Sequence, residues 1–289
     1  MKVTKIETGN FMLDGGAMFG VVPKSLWQKH YRANDLNLCN LSMRCLYIET
    51  SGKKILIDTG IGDKQNNDFL KHYHLNGDFN LEKSFAKERI KFEDITDVII
   101  THLHFDHIGG AVKRTESGDH VPTFPNATYW ISKKQWEWAI NPNPREKASF
   151  LIENFMPLYQ MGKIKFIEKE GTFCKGVDIR MFDGHTDGLV VPIIDYLGHK
   201  VVYTADLIPT TAHISTSWVC GYDTRPLISM QEKQEFLKEA LEGSYVFFFE
   251  HDLYTESCTL KATEKGIRAD EKFNFSTFQE RVLAEVNAG

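Results

Sequence analysis

The segment "VIITHLHFDHIGG", residues 98–110, holds His102, His104, Asp106 and His107 within six positions. His102 and His104 alternate, so an extended backbone can point both side chains the same way, while Asp106 and His107 turn toward a neighbouring point. Imidazole suits borderline divalent metals such as Zn²⁺, and carboxylates can share or bridge them. The loop therefore predicts ligands for two adjacent metal positions. A set of plain turn residues is disfavoured, because so dense a cluster has little packing purpose.

Further ligands are expected elsewhere, because one loop cannot fill two coordination shells. Three polar residues stand where an apolar run ends: His185 in "FDGHTDG", Asp206 at the end of "VVYTAD", and His251 at the end of "VFFFEH". Loops at the ends of buried strands are where rigid scaffolds expose chemistry. The repeated placement predicts that these three residues complete the metal site.

The elements around these residues alternate between strands and helices. "RCLYIET" and "ILIDTG" flank a Ser-Gly turn and predict a hairpin, and "TDVIIT" predicts a buried strand that ends at the histidine cluster. "SMQEKQEFLKEALEG" predicts a helix that starts with a capping box of Ser229 and Glu232. Strands from both halves with interspersed helices indicate a layered α/β protein with two sheets. No polar linker divides the chain, so a single domain of residues 1–289 is expected.

Composition narrows the classes of partner. The chain has 289 residues, a formal net charge of -5 and no basic stretch, which weighs against nucleic acid. It has neither a long apolar run for a membrane span nor an apolar segment near its start for secretion. Its five cysteines are scattered, with no CxxC, which favours reduced thiols in the cytoplasm. A small-molecule substrate is therefore expected.

The ordered motifs "ILIDTG", "THLHFDHIGG", "GHTDG", "TAD" and "EHD" resemble those of the metallo-β-lactamase superfamily, from about Leu46 to His251. The resemblance implies a four-layer αββα sandwich with metals at one edge of the two sheets. The motif set is specific for the fold and much less specific for substrate. Within the superfamily, "ADLIPTTAHI" followed by "YDTRP" and a long helix is most similar to the lactonase and organophosphate-hydrolase-like proteins.

The resemblance also implies a ligand assignment. One metal is held by His102, His104 and His185, the second by Asp106, His107 and His251, and Asp206 bridges them. The implied cofactors are two divalent ions, zinc first, with manganese or iron as alternatives. A hydroxide shared by the two metals would attack a small ester, lactone or phosphoester. Asp106, beside that hydroxide, would shuttle a proton to the leaving group.

Three features have two interpretations each. Asp58 either orients a ligand histidine or caps the end of its strand. His213, seven residues after Asp206, either donates a hydrogen bond to the developing oxyanion or is an ordinary polar loop residue. The glycine-rich loop Asp14–Trp27 either caps the site or contacts a partner subunit, which makes a homodimer one alternative.

Two departures separate this chain from the quorum-quenching lactonases that it resembles. Those enzymes place a tyrosine shortly after the bridging aspartate, where this chain has Leu207, Ile208 and Pro209. The motif "GHTDG" carries Asp187 where proline is usual. The substrate class therefore stays open among esters, lactones and phosphoesters.

Three other functions share parts of this sequence pattern. A thioester hydrolase like glyoxalase II uses the same ligand set, but it needs basic residues for a glutathione carboxylate, and no such cluster stands out. An acidic pI of about 6.1 counts against a tRNA-maturing nuclease, and the complete ligand set counts against a non-enzymatic binding protein. His72 and His74 repeat the HxH spacing without the Asp-His sequel and are expected at the surface.

Overall fold

The apolar runs of the sequence become the strands of two large sheets, and β5 and β6 pair in a separate two-stranded sheet. A computed structural model describes residues 1–288. Its strands are β1 (Lys2–Asp14), β2 (Leu38–Thr50), β3 (Lys53–Ile57), β4 (Asp97–Ile99), β5 (Val112–Arg114), β6 (His120–Pro122), β7 (Thr128–Ser132), β8 (Ile164–Ile167), β9 (Gly171–Cys174), β10 (Val177–Phe182), β11 (Leu189–Tyr196), β12 (His199–Tyr203), β13 (Val246–Phe248), β14 (Ser257–Thr263) and β15 (Gly266–Phe273).

Most helices between these strands are short. They are α1 (Gly15–Phe19), α2 (Lys24–Trp27), α3 (Asn67–Leu70), α4 (Leu81–Glu88), α5 (Phe105–Ile108), α6 (Lys133–Ala139), α7 (Met156–Gln160), α8 (Pro226–Glu242) and α9 (Phe275–Ala288). Single 3₁₀ turns occur at Lys71–Tyr73, Phe92–Asp94, Gly109–Ala111, Ile152–Asn154, Ala205–Leu207 and Thr211–Ile214. None of the helices in residues 1–288 is long and apolar enough to cross a bilayer.

The chain divides into two compact units. The first comprises Met1–Phe11, Ser42–Glu170 and Asp187–Val190, and the second comprises Met12–Leu41, Gly171–Thr186 and Val191–Gly289. Both units are assembled from separated stretches of chain. The prediction of a single domain stays a prediction.

The six-stranded sheet runs in the order β1-β2-β3-β4-β7-β8. β2 and β3 form the predicted hairpin, with Thr50 opposite Lys53 across a turn whose Ser51 and Gly52 both have positive φ. β3, β4, β7 and β8 are parallel, and the three residues of β4 are all buried. Helices α4 and α6 cover this sheet with Phe85 and Trp136. A short strand with neighbours on both sides fixes the direction of the loop that follows it, which is the histidine loop.

The seven-stranded sheet runs in the order β15-β14-β13-β12-β11-β10-β9. The pairs β9–β10, β11–β12, β13–β14 and β14–β15 are antiparallel, whereas β12 and β13 are parallel over Val201–Tyr203 and Val246–Phe248. Because the two strands run the same way, the residues that follow them emerge at the same edge of the sheet. Asp206 follows β12 and His251 follows β13. The register therefore explains why these two residues lie close together.

Candidate active site

The histidine loop of the first unit is held against the strand end by close backbone contacts. Thr59 N donates to His107 O at 2.8 Å, and Gly110 N donates to Gly60 O at 2.9 Å. A Cβ on Gly109 would lie 2.0 Å from Ile61 O. The "IGG" after the ligand motif is therefore a packing requirement, since a larger residue would push the loop off the strand end.

His102 and His104 are buried with one nitrogen of each ring facing the other. His102 Nε2 and His104 Nδ1 are 2.9 Å apart. The other nitrogen of each ring has a partner at hydrogen-bond distance. His102 Nδ1 is 3.1 Å from Thr101 Oγ1, and His104 Nε2 is 3.3 Å from Glu146 Oε1. Metal-binding histidines are usually oriented by such a partner on the far nitrogen. The pair fits the ligation of one ion.

His107 is oriented in the same way by Asp58. Its Nδ1 lies 3.1 Å from Asp58 Oδ2, and its Nε2 lies 3.7 Å from Asp106 Oδ2. Asp58 also accepts from the Thr101 backbone N–H at 2.8 Å and from the Thr101 hydroxyl at 2.7 Å. Asp58 therefore contacts both His107 and the residue that follows β4, and its role in orienting a ligand histidine stays a prediction.

Glu146 is a functional candidate that sequence reasoning missed. Its side chain is buried, and besides His104 it accepts from Trp138 Nε1 and from Asn143 Nδ2, each at 2.7 Å. The residue stands 42 positions after His104 in "NPNPRE", which the sequence indicates only as a turn and helix start. No local pattern distinguishes this glutamate from a solvated one, so the signal is its three-dimensional contact with His104.

In the second unit, Asp206 lies between two histidines. Asp206 Oδ2 is 3.2 Å from His185 Nε2, and Asp206 Oδ1 is 3.2 Å from His251 Nε2. His185 Nδ1 is held from behind by Asp223 Oδ1 at 2.9 Å. Asp223 was also missed: it belongs to "YDTRP", 38 residues after His185. The structure thus brings together His185, Asp206 and His251 within this unit.

The loop that carries His185 is fastened by helix α8, and here one sequence prediction is wrong. The helix begins at Pro226, so Ser229 lies inside it and forms no capping box. Proline fits the first helical position, because its fixed φ is helical and its missing N–H needs no partner there. Glu232 instead accepts from Asp183 N at 2.7 Å and from Gly184 N at 2.9 Å.

His213 also lies in the second unit, and both nitrogens of its ring are engaged. Nε2 donates to Met18 O at 2.8 Å, Nδ1 accepts from the Thr210 hydroxyl at 2.7 Å, and the ring of Phe19 stacks on it at 4.7 Å. Burial lowers the pKa of His213 to about 4, so the ring is neutral at physiological pH. These contacts fasten α1, in the glycine-rich loop, to the segment that follows Asp206; the catalytic role of His213 stays a prediction.

Lys233 on α8 secures the same segment. Its ammonium group donates to three carbonyl oxygens, those of His213 at 2.9 Å, Ser215 at 3.2 Å and Trp218 at 2.7 Å. The lysine is buried, and the three acceptors replace the water that an ammonium group loses on burial. Three hydrogen bonds therefore join α8 to the loop beyond Asp206.

A family model of the metallo-β-lactamase superfamily matches residues 44–258. The chain belongs to this superfamily. Among curated relatives, an N-acyl homoserine lactonase of Bacillus cereus is 27% identical, over 76% of this chain and 85% of its own length. A probable metallo-hydrolase of Mycobacterium tuberculosis is 24% identical, over 64% of each chain.

Solved structures agree on the fold. A probable metal-dependent hydrolase from Staphylococcus aureus superposes with a TM-score of 0.85 at 32% identity, over 94% of this chain and 96% of its own. A dizinc quorum-quenching lactonase, AidC, superposes with a TM-score of 0.76 at 23% identity, over 94% of this chain and 95% of its own. The predicted metallo-β-lactamase fold is confirmed, as is the predicted class of enzyme, a metal-dependent hydrolase.

Proposed function

We propose that this superfamily member is a dinuclear hydrolase of small esters, lactones or phosphoesters. The observation that carries the proposal is the carboxylate of Asp206, which presents one oxygen to His185 and the other to His251 at equal distances of 3.2 Å. A carboxylate that binds a single ion has no need to place its two oxygens against two different histidines. This arrangement supports a role for Asp206 as the shared ligand of two metal positions.

The proposed ligand set follows the donors on each unit. His102, His104 and His185 would hold one ion, Asp106, His107 and His251 the other, and Asp206 both. Imidazole and carboxylate donors suit zinc, with manganese or iron as alternatives. Two divalent ions in such a set supply Lewis-acid activation of a substrate oxygen and a water nucleophile at neutral pH. Two aspartates leave the centre net positive, which suits an anionic transition state.

Protein side chains would orient the proposed ligands and transfer the proton. Asp58, Glu146 and Asp223 hold His107, His104 and His185 from behind, which fixes the direction of each ligating nitrogen before an ion arrives. Asp106 would carry a proton to the leaving group, because only one of its oxygens is needed as a ligand. The hydrogen bonds of Lys233 and Glu232 hold the loops that carry these groups in one arrangement, which favours a preformed site.

Two observations bear on the substrate class and favour different answers. The lactonase relatives favour lactones, whereas the apolar Leu207–Pro209 stretch after the bridging residue differs from the lactonases that the chain resembles. A small ester or phosphoester therefore stays alongside the lactone. A thioester is the alternative, since it requires the same attack on a carbonyl carbon.

Metal content and a substrate panel test the proposal together. Purified protein supplemented with Zn²⁺, Mn²⁺ or Fe²⁺ should retain two ions per chain by elemental analysis, and should hydrolyse at least one class among acyl lactones, carboxylic esters and phosphotriesters. Thioesters form the fourth arm. A stoichiometry that never exceeds one would remove the dinuclear centre. Turnover of thioesters alone would replace the proposed substrate class with the alternative.

A further inference from the structure

The segment of residues 64–76, in the first unit, is anchored at both ends. At one end the Lys64 ammonium donates to Gly109 O, in the glycine pair that directly follows the ligand motif. At the other end Asn76 exchanges two backbone hydrogen bonds with Asn10, both of 2.9 Å. The segment is therefore held at a fixed place beside the histidine loop.

Tyr73 is the residue of this segment that packs on the ligand motif. Its ring centroid lies 4.5 Å from that of Phe105 and 4.9 Å from that of Phe69, and Phe69 in turn meets Phe105 edge-on at 5.3 Å. Phe105 stands between His104 and Asp106 in the sequence. The cluster of three rings thus fixes the tyrosine against the stretch that carries the ligands.

The hydroxyl of Tyr73 differs from those of buried tyrosines in the same unit. Tyr129 OH donates to Ala111 O at 3.2 Å, and Tyr47 OH donates to Glu49 Oε1 at 2.7 Å. Within residues 1–288, no side chain or backbone group is hydrogen-bonded to the Tyr73 hydroxyl, although the side chain is half-buried. A half-buried phenol normally finds a partner for its hydroxyl, so this one is available to a bound molecule.

The electrostatic setting keeps this phenol protonated. Burial raises the pKa of Tyr73 to about 12, and the carboxylate of Asp106 is the second cause. At neutral pH the group is a hydrogen-bond donor and not a base.

We propose that the Tyr73 hydroxyl is a catalytic hydrogen-bond donor to the anionic oxygen that develops on the carbon or phosphorus under attack. The inference rests on the proposed hydrolase function. No proton is transferred: the phenol keeps its hydrogen, and the bond strengthens as negative charge builds on the oxygen. A preorganised neutral donor is suited to this role because it stabilises the transition state more than the uncharged ground state.

Tyr73→Phe is the decisive variant, because it keeps the ring that packs on Phe105 and removes only the donor. We expect kcat to fall about 10²-fold, with KM changed much less and two ions per chain retained. Tyr159→Phe is the matched control, since Tyr159 is half exposed, stacks on Trp136 at 4.8 Å and belongs to the same unit. The control should retain wild-type kcat.

A binding measurement makes the test independent of turnover. Phenylphosphonate, which carries tetrahedral anionic oxygens, is titrated calorimetrically into the metal-loaded wild type and both variants. Tyr73→Phe should weaken the Kd about 10-fold, the usual effect of losing one hydrogen bond to a charged group, while Tyr159→Phe leaves it unchanged.

The outcomes separate the two proposals. Wild-type kcat or wild-type phosphonate affinity in Tyr73→Phe overturns the role of Tyr73 and leaves the hydrolase proposal standing. Loss of metal from this variant also overturns that role, because the residue then supports the ligands. A wild type that binds phenylphosphonate through Tyr73 but hydrolyses nothing in the panel overturns the hydrolase function and the catalytic role with it, and leaves Tyr73 as a donor to a bound anion. Absence of both turnover and binding in the wild type overturns both.

Discussion

Two histidine pairs with the same HxH spacing have opposite surroundings. His102 and His104 are buried, and their facing nitrogens are 2.9 Å apart. His72 and His74 are both exposed: His72 lies in a single 3₁₀ turn, and His74 follows that turn with a left-handed backbone, φ 46°. The surface location expected for the second pair is confirmed.

The difference shows that the same spacing is found in very different surroundings. The first pair follows β4, whose direction is set by parallel neighbours on both sides, and Thr101 and Glu146 hold its outer nitrogens. No such strand precedes the second pair. Burial and a partner on the far nitrogen are what convert two alternating histidines into a preorganised site.

Removing the proposed bridge should give the largest effect and is the strongest test of this contrast. Asp206→Ala deprives two ions of a shared anionic ligand, so we expect kcat/KM to fall at least about 10³-fold, with loss of bound metal. The double variant His72→Ala/His74→Ala should keep both its metal and its activity. Measurement requires only elemental analysis and the preferred substrate of the panel. Comparable losses in the two proteins would mean that the ligands were assigned to the wrong histidines.

Replacing a residue that contacts the outer nitrogen of a proposed ligand should have an intermediate effect on metal affinity. Glu146→Gln keeps the size of the side chain but removes the charge that holds His104 Nε2, so metal affinity should fall about 10- to 100-fold. The matched control is Glu137→Gln, whose glutamate is exposed nine residues earlier. Competition with a chromophoric chelator gives both affinities. Equal affinities would show that His104 needs no partner on its far nitrogen.

Local patterns pointed to the proposed ligands but not to the residues that hydrogen-bond their outer nitrogens. The proposed ligands can be recognised from local sequence, because each one follows a short apolar run. They are His102, His185, Asp206 and His251. Glu146 reaches its histidine across 42 positions of chain, through turns that no periodicity describes.

The capping box fails for a related reason. Ser229 and Glu232 satisfy the local pattern, but Pro226 starts the helix earlier, and Glu232 serves the backbone of Asp183 and Gly184 instead. The partner of a polar side chain such as Glu232 depends on contacts between residues far apart in the chain, and these cannot be read from a single sequence. The hairpin at Ser51 and Gly52 was predictable because its interactions are local.

The smallest expected effect concerns His213, a buried histidine whose partners are not proposed metal ligands. Its pKa of about 4 in the folded protein lies below the ordinary value of 6.5, so between these values the unfolded chain takes up a proton that the folded chain refuses. The stability associated with the neutral ring is therefore complete above about pH 6.5 and is lost as the pH falls toward 4. Between pH 7.5 and 4.5 the wild type should lose roughly 2 kcal/mol more unfolding free energy than His213→Gln.

Urea unfolding at the two pH values, on metal-free samples of both proteins, isolates this difference, because every other titrating group is shared. Glutamine is the suitable replacement, since its amide can still donate to Met18 O but does not titrate. Parallel pH profiles in the two proteins would contradict a buried neutral ring.

Turnover measured on metal-loaded samples tests the predicted donor role of His213 separately. A fall of about 10²-fold at full metal content would support that role, whereas wild-type turnover would leave His213 as the residue that fastens the glycine-rich loop.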